Sequence, residues 1–115
     1  MLKNDIIYIL HILDAAKESL SFAKDKTRND LDSNRMLTLS IVKSIEIIGE
    51  AATKVTKETK NEYPEIPWSN IIAMRNRLIH GYFDIDYDRV WDTVIDDLPS
   101  LISTLEEIVR KEKRD

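Results

Sequence analysis

Along the first part of the chain, apolar side chains recur at Ile6, Ile9, Leu10, Leu13, Ala16 and Leu20. Steps of three and four place them on one stripe of an α-helix, predicted from about residue 4 to about residue 24. Residues 25–34, DKTRNDLDSN, carry no apolar period and are rich in Asp, Asn, Ser and Thr. They read as a loop or short broken turn that ends in a helix start. From about residue 35 to about residue 60 the apolar positions are densest: Met36, Leu37, Leu39, Ile41, Val42, Ile45, Ile47, Ile48, Ala51, Ala52 and Val55. So wide a surface predicts a central helix, or one that faces its own core on one side and a partner on the other. Gly49 falls inside this helix, where glycine costs about 1 kcal/mol relative to alanine. Close approach of another backbone would justify it, and the small neighbours Ala51, Ala52 and Thr53 fit. That backbone belongs either to a partner or to the same subunit.

Pro64 and Pro67 in NEYPEIPW break the pattern. WSNIIAMRNRLIH, residues 68–80, then predicts a third helix, with Ser69 or Asn70 near its start and Ile71, Ile72, Met74, Leu78 and Ile79 apolar. Gly81 is predicted as the residue past its end, in a left-handed backbone. FDIDYD is a short acidic connection. The last stripe runs from about residue 87 to about residue 112, through Val90, Trp91, Val94, Ile95, Leu98, Leu101, Ile102, Leu105, Ile108 and Val109. Pro99 lies within it and predicts a kink or a break into two helices. The expected fold is an all-α antiparallel bundle of four to five helices. No strand alternation, internal repeat or phosphate-cradling glycine loop competes with it.

Composition narrows the function. A chain of 115 residues is expected to form one domain, 1–115, burying roughly two thirds of its unfolded surface. Two glycines and three prolines leave few tight turns and favour long helices. The absence of cysteine excludes disulfides, thiol catalysis and cysteine-based zinc sites, and suits a reducing compartment. Polar residues Asn4, Asp5, His11 and Asp14 interrupt the N-terminal segment, so neither a signal peptide nor a membrane span is expected there. A cytoplasmic protein with no membrane partner is the expectation. The net charge of -4 gives no global field for nucleic acid. Any such binding must use a local patch, or one completed by a second chain.

One stretch concentrates candidate chemistry. MRNRLIHGY, residues 74–82, sets Arg75, Asn76, Arg77, His80 and Tyr82 at one helix end. At about 100° per residue, Arg75 and His80 lie roughly 140° apart on an ideal helix, whereas Asn76 and His80 share a face. Arg75 must reach round, the helix must loosen at Gly81, or a twin subunit must supply the second group. Cutting RNA without a metal needs a group that exchanges protons near neutral pH, and histidine suits it. It also needs a cation for the charge that builds on phosphorus, and a guanidinium suits that. Asn76 could orient the imidazole or donate to a phosphate, and Arg77 could contact RNA phosphate. One histidine serves one role at a time, so two subunits meeting here would supply acid and base together. A plainer reading uses the same residues otherwise: His80 on a terminal carbonyl, Arg75 and Arg77 paired with Asp84, Asp86 or Asp88, and Tyr82 half-buried. An Arg–His pair does not by itself select RNA over another phosphate ester.

RNRLIHGY matches the R-x4-H-x-Y signature of the HepT-type proteins of the HEPN superfamily. IEIIGEAATKV resembles their long second helix, and IPWSNIIAMRNRLIHGYFDIDYDRVWDTVIDDLPSL resembles the motif helix with its flanks. The likeness runs over nearly the full length. The resemblance implies a HEPN-like helical homodimer whose paired motifs line a cleft, acting as a metal-independent endoribonuclease toxin with no cofactor. Arg75 and His80 would be the catalytic pair and Asn76 the supporting polar residue. Tyr82 would accept AMP from ATP, transferred by a partner antitoxin, a minimal nucleotidyltransferase of the MntA type. The alternative is a non-catalytic helical subunit of such a nucleotidyltransferase, whose motif binds a nucleotide or phosphate.

Overall fold

The computed structural model describes residues 1–81 and 84–114. Among these the secondary structure is helical throughout. Four long helices carry the core: α1 (Lys3–Ala23), α3 (Arg35–Lys54), α5 (Trp68–His80) and α7 (Leu98–Arg114). Three short ones join them: α2 (Asp30–Ser33), α4 (Lys57–Glu62) and α6 (Tyr87–Asp92). α3 packs against both α1 and α5, and α1 also packs against α7. Ile9 and Ile12 of α1, Ile41 of α3 and Leu105 of α7 are fully buried where these helices meet. Most of the apolar positions of the sequence form this core, with α3 in the centre as its wide apolar surface requires; Met36, Leu39, Ile47, Ile79 and Ile95 are exposed.

Helix boundaries follow local chemistry. The Asn34 side chain caps α3 by accepting from the Leu37 N–H at 3.0 Å. The long second helix expected to run to about residue 60 instead stops at Lys54, and Val55 takes an extended backbone. A tertiary cluster causes the stop. Asp5 of α1, almost wholly buried, accepts from the Thr56 N–H at 3.1 Å, the Thr56 hydroxyl at 2.6 Å and the Thr59 hydroxyl at 2.6 Å. Thr56 then caps the new helix α4 through the Thr59 N–H. Burial alone would raise the Asp5 pKa; the hydrogen bonds from Thr56 and Thr59 outweigh it and hold the carboxyl below its ordinary value.

The irregularity expected at Pro99 lies just upstream of it, and the backbone stays helical through it. Thr93–Asp97 form a π-helical turn between α6 and α7. Proline cannot donate to the carbonyl four residues back and its ring crowds that carbonyl. A widened turn before Pro99 accommodates both, and the Leu98 N–H reaches back to the Thr93 carbonyl. Gly81 corrects the left-handed expectation. Its φ is −127°, its N–H donates to the Arg77 carbonyl at 2.9 Å, and an added Cβ would lie 3.1 Å from that oxygen. Glycine ends α5 by leaving room for the carbonyl, not by the sign of φ.

Candidate functional site

The motif helix α5 crosses α3 at Gly49. A Cβ built on Gly49 would lie 2.7 Å from Arg75 Cγ, nearer still to Arg75 Cβ, and 3.2 Å from the Ile71 carbonyl. The backbone whose approach the mid-helix glycine anticipated is therefore α5 of the same chain. This crossing fixes where the Arg75 side chain leaves its helix. The next residue of α3, Glu50, forms an ion pair with the Arg75 guanidinium. Asn76 accepts from another terminal nitrogen of Arg75 at 2.9 Å. Arg75 Nε is buried with no partner among the described residues. The arginine is thus held on two sides and is only a quarter exposed, while Glu50 is about half exposed.

Arg77 and His80 lie on the exposed surface of α5, as does Asn76. Among the described residues, no side chain joins Arg75 to His80, and neither Arg77 nor His80 enters an ion pair or side-chain hydrogen bond. The downstream aspartates do not hold the arginines of the motif. Asp88 pairs with Arg28, and Asp86 caps α6 by accepting from the Arg89 N–H at 3.1 Å. Tyr82, the expected AMP acceptor, lies outside the described residues. Glu50 is the site residue that the sequence reading missed. Its only local signal was its place beside a glycine inside a helix.

Two grooves flank the crossing. One, of about 540 Å³, has an apolar floor that includes Ile48, Ile71 and Leu101; Arg89 stands there against Glu65, Asp92, Asp96 and Asp97. The other, of about 330 Å³, lies between α1, α3 and the end of α5, where Tyr8, His11, Lys43, Lys54 and Ile79 meet Glu46 and Glu50. Among the described residues, no group of three or more histidine, aspartate or glutamate side chains is placed to hold a metal ion. No described helix is long and apolar enough to cross a membrane.

The site is thus a central helix crossed at a glycine by a motif helix that bears a clamped arginine and an exposed histidine. The family described as "Ribonuclease HepT-like" matches residues 12–108, and the chain belongs to that family. It is 33% identical over 111 residues to "Putative RNase MJ0127" of Methanocaldococcus jannaschii, covering 96% of this chain and 92% of that protein. It is 36% identical over 106 residues to "Putative RNase TTE0752" of Caldanaerobacter subterraneus subsp. tengcongensis, covering 92% of this chain and 95% of that protein. "Probable ribonuclease HepT" of Thermococcus cleftensis is 33% identical over 101 residues, or 88% of this chain and 92% of that protein. No solved structure matches the chain.

Proposed function

We propose that this HepT-like chain is a metal-independent endoribonuclease in which Arg75 and His80 act on one phosphodiester. The observation that carries the reading is the setting of Arg75: its guanidinium is restrained by Glu50 and Asn76 at the α3–α5 crossing, on the helix whose last residue is the exposed His80. A guanidinium has five N–H donors, so these two contacts leave terminal N–H groups for a phosphate oxygen.

In the reaction the ribose 2′-oxygen attacks phosphorus as its proton passes to an imidazole. The bond from phosphorus to the 5′-oxygen breaks, and the departing oxygen takes a proton from an imidazolium. The products are a 2′,3′-cyclic phosphate and a free 5′-hydroxyl. Arg75 stabilises the negative charge that builds on the phosphoryl oxygens, and Asn76 supports Arg75. Two subunits, each giving one His80, supply base and acid in a single passage. The dimer reading is supported by the exposed apolar side chains Met36 and Leu39 near the start of α3. Arg77, exposed on the same helix, contributes a phosphate contact.

The chain acts as the toxin of a toxin–antitoxin pair, and a nucleotidyltransferase of the MntA type silences it by moving AMP from ATP to Tyr82. The R-x4-H-x-Y spacing supports this part. It is checked by mass spectrometry of the Tyr82 peptide after incubation with that partner and ATP. The ribonuclease reading is tested by incubating purified protein with single-stranded RNA in EDTA and analysing the fragment ends, which carry 2′,3′-cyclic phosphate. A second reading, a non-catalytic nucleotide-binding subunit, draws support from Glu50, which already neutralises Arg75. It predicts a stable complex with the nucleotidyltransferase and intact RNA.

A further inference from the structure

We infer that the groove between α1, α3 and the end of α5 is the subsite for the nucleotides next to the phosphate held by Arg75. The inference rests on the ribonuclease reading and extends it to residues outside the motif. The groove adjoins the motif at two points. Glu50, which pairs with Arg75, is on its wall, and Ile79, the neighbour of His80, is on its rim. An RNA strand leaving the motif therefore meets Lys43, Lys54 and Tyr8 directly.

The chemistry of the groove suits a single strand. Lys54 Nζ stands 6.0 Å from the centre of the Tyr8 ring, and Tyr8 meets His11 edge-on with ring centres 6.3 Å apart. An aromatic side chain beside ammonium groups is the combination that holds unpaired bases and their phosphates. The groove's carboxylates are accounted for: Glu50 pairs with Arg75 and Glu46 lies 3.9 Å from Lys43, which leaves Lys54 with no carboxylate partner among the described residues. Two lysines face two carboxylates here, whereas one arginine faces four carboxylates in the larger groove on the other side of the crossing. In a chain of net charge -4, this asymmetry steers a polyanion towards the smaller groove and away from the larger. Its volume of about 330 Å³ is within the usual range for small-ligand sites, roughly 300–1,000 Å³.

The test measures binding of fluorescein-labelled oligouridine to the full-length His80→Ala chain by fluorescence anisotropy over a salt series, with circular dichroism to confirm folding. Adding Lys43→Ala and Lys54→Ala together weakens binding. It also flattens the plot of log affinity against log salt by about 1.4, since each phosphate contact in a single strand contributes about 0.7. Tyr8→Ala weakens binding on the order of 10-fold and Tyr8→Phe restores it, because stacking needs the ring and not the hydroxyl. Lys24→Ala with Lys26→Ala, in the exposed segment after α1, leaves affinity and slope unchanged. In a chain with His80 intact, the groove lysine pair raises KM and leaves kcat unchanged. Unaltered affinity and slope in the Lys43/Lys54 variant, or an equal loss in the Lys24/Lys26 variant, would overturn the inference. Binding that follows this pattern in a wild-type chain that cuts no RNA would refute the ribonuclease reading and leave the subsite standing.

Discussion

Arg75 lies against Gly49 so closely that the α-carbon of one helix has no room for a methyl group beneath the side chain of the other. The contact explains a glycine that helix propensity alone disfavours, and it sets the position of the arginine on which the proposed chemistry depends. Gly49→Ala adds a methyl that meets Arg75 near its backbone, where the side chain cannot swing away. Overpacking of this kind costs about 1–3 kcal/mol, offset by about 1 kcal/mol of improved helix propensity. The expected result is a lower urea midpoint together with a loss of cleavage larger than the stability change explains. A variant as stable and active as wild type contradicts this role for the crossing.

The Glu50–Arg75 pair has little to do with stability. Both partners are partly exposed, and such pairs contribute about 0–1 kcal/mol. Glu50→Ala is therefore expected to melt near the wild-type temperature. Its effect falls on the site: an arginine free to wander loses kcat by on the order of 10-fold or more, while removal of a negative charge lowers KM for RNA. Glu50→Gln, which still accepts from the guanidinium, keeps kcat near wild type and shows the lower KM alone. Steady-state kinetics on the two variants separates restraint from charge.

Acid sensitivity should trace to Asp5. Its folded-state pKa is held below the ordinary value, so its contribution to stability is complete above the unfolded pKa of about 3.9. That contribution is lost as pH falls through the folded pKa. Asp5→Asn presents an amide donor to a pocket of donors and is expected to cost about 1–3 kcal/mol at neutral pH. Urea titrations of both proteins from neutral to acid pH should show the gap between them closing only in the acid range. A gap independent of pH would mean that the carboxylate charge is irrelevant to the cluster.

The helices themselves were legible because apolar spacing is a local property. α1, the start of α3 at Asn34 and the start of the motif helix near Trp68 follow from side chains a few positions apart. What could not be read joins distant parts of the chain. The stop after Lys54 depends on Asp5, on a different helix, and between Val55 and Lys60 only Thr56, the cap of α4, hints at it. The partner of Arg75 lies 25 positions away, so local charge matching chose the nearby aspartates instead. Gly81 was located correctly and explained wrongly, because crowding at the Arg77 carbonyl is invisible without coordinates. The motif was legible as spacing; the clamp on Arg75 was not.

The outward stripe of α3 leads to a prediction about assembly. Met36 and Leu39 are 78% and 53% exposed, and their spacing puts them at the N-terminal end of the face that carries Lys43 and Lys54 further along. The apolar half of this face is proposed to meet its copy in a dimer. Light scattering at micromolar concentration should give a dimer mass for wild type and a monomer mass for Met36→Glu with Leu39→Glu, both with the same helical circular dichroism signal. A monomeric wild type would remove the shared-site version of the mechanism.

The most direct test of the whole account is a single-turnover cleavage assay on single-stranded RNA in EDTA, comparing wild type with Arg75→Ala and His80→Ala. The account predicts cutting by wild type and a fall of at least about 100-fold in each variant, with folding unchanged by circular dichroism. Cleavage that persists at the wild-type rate in either variant would contradict it.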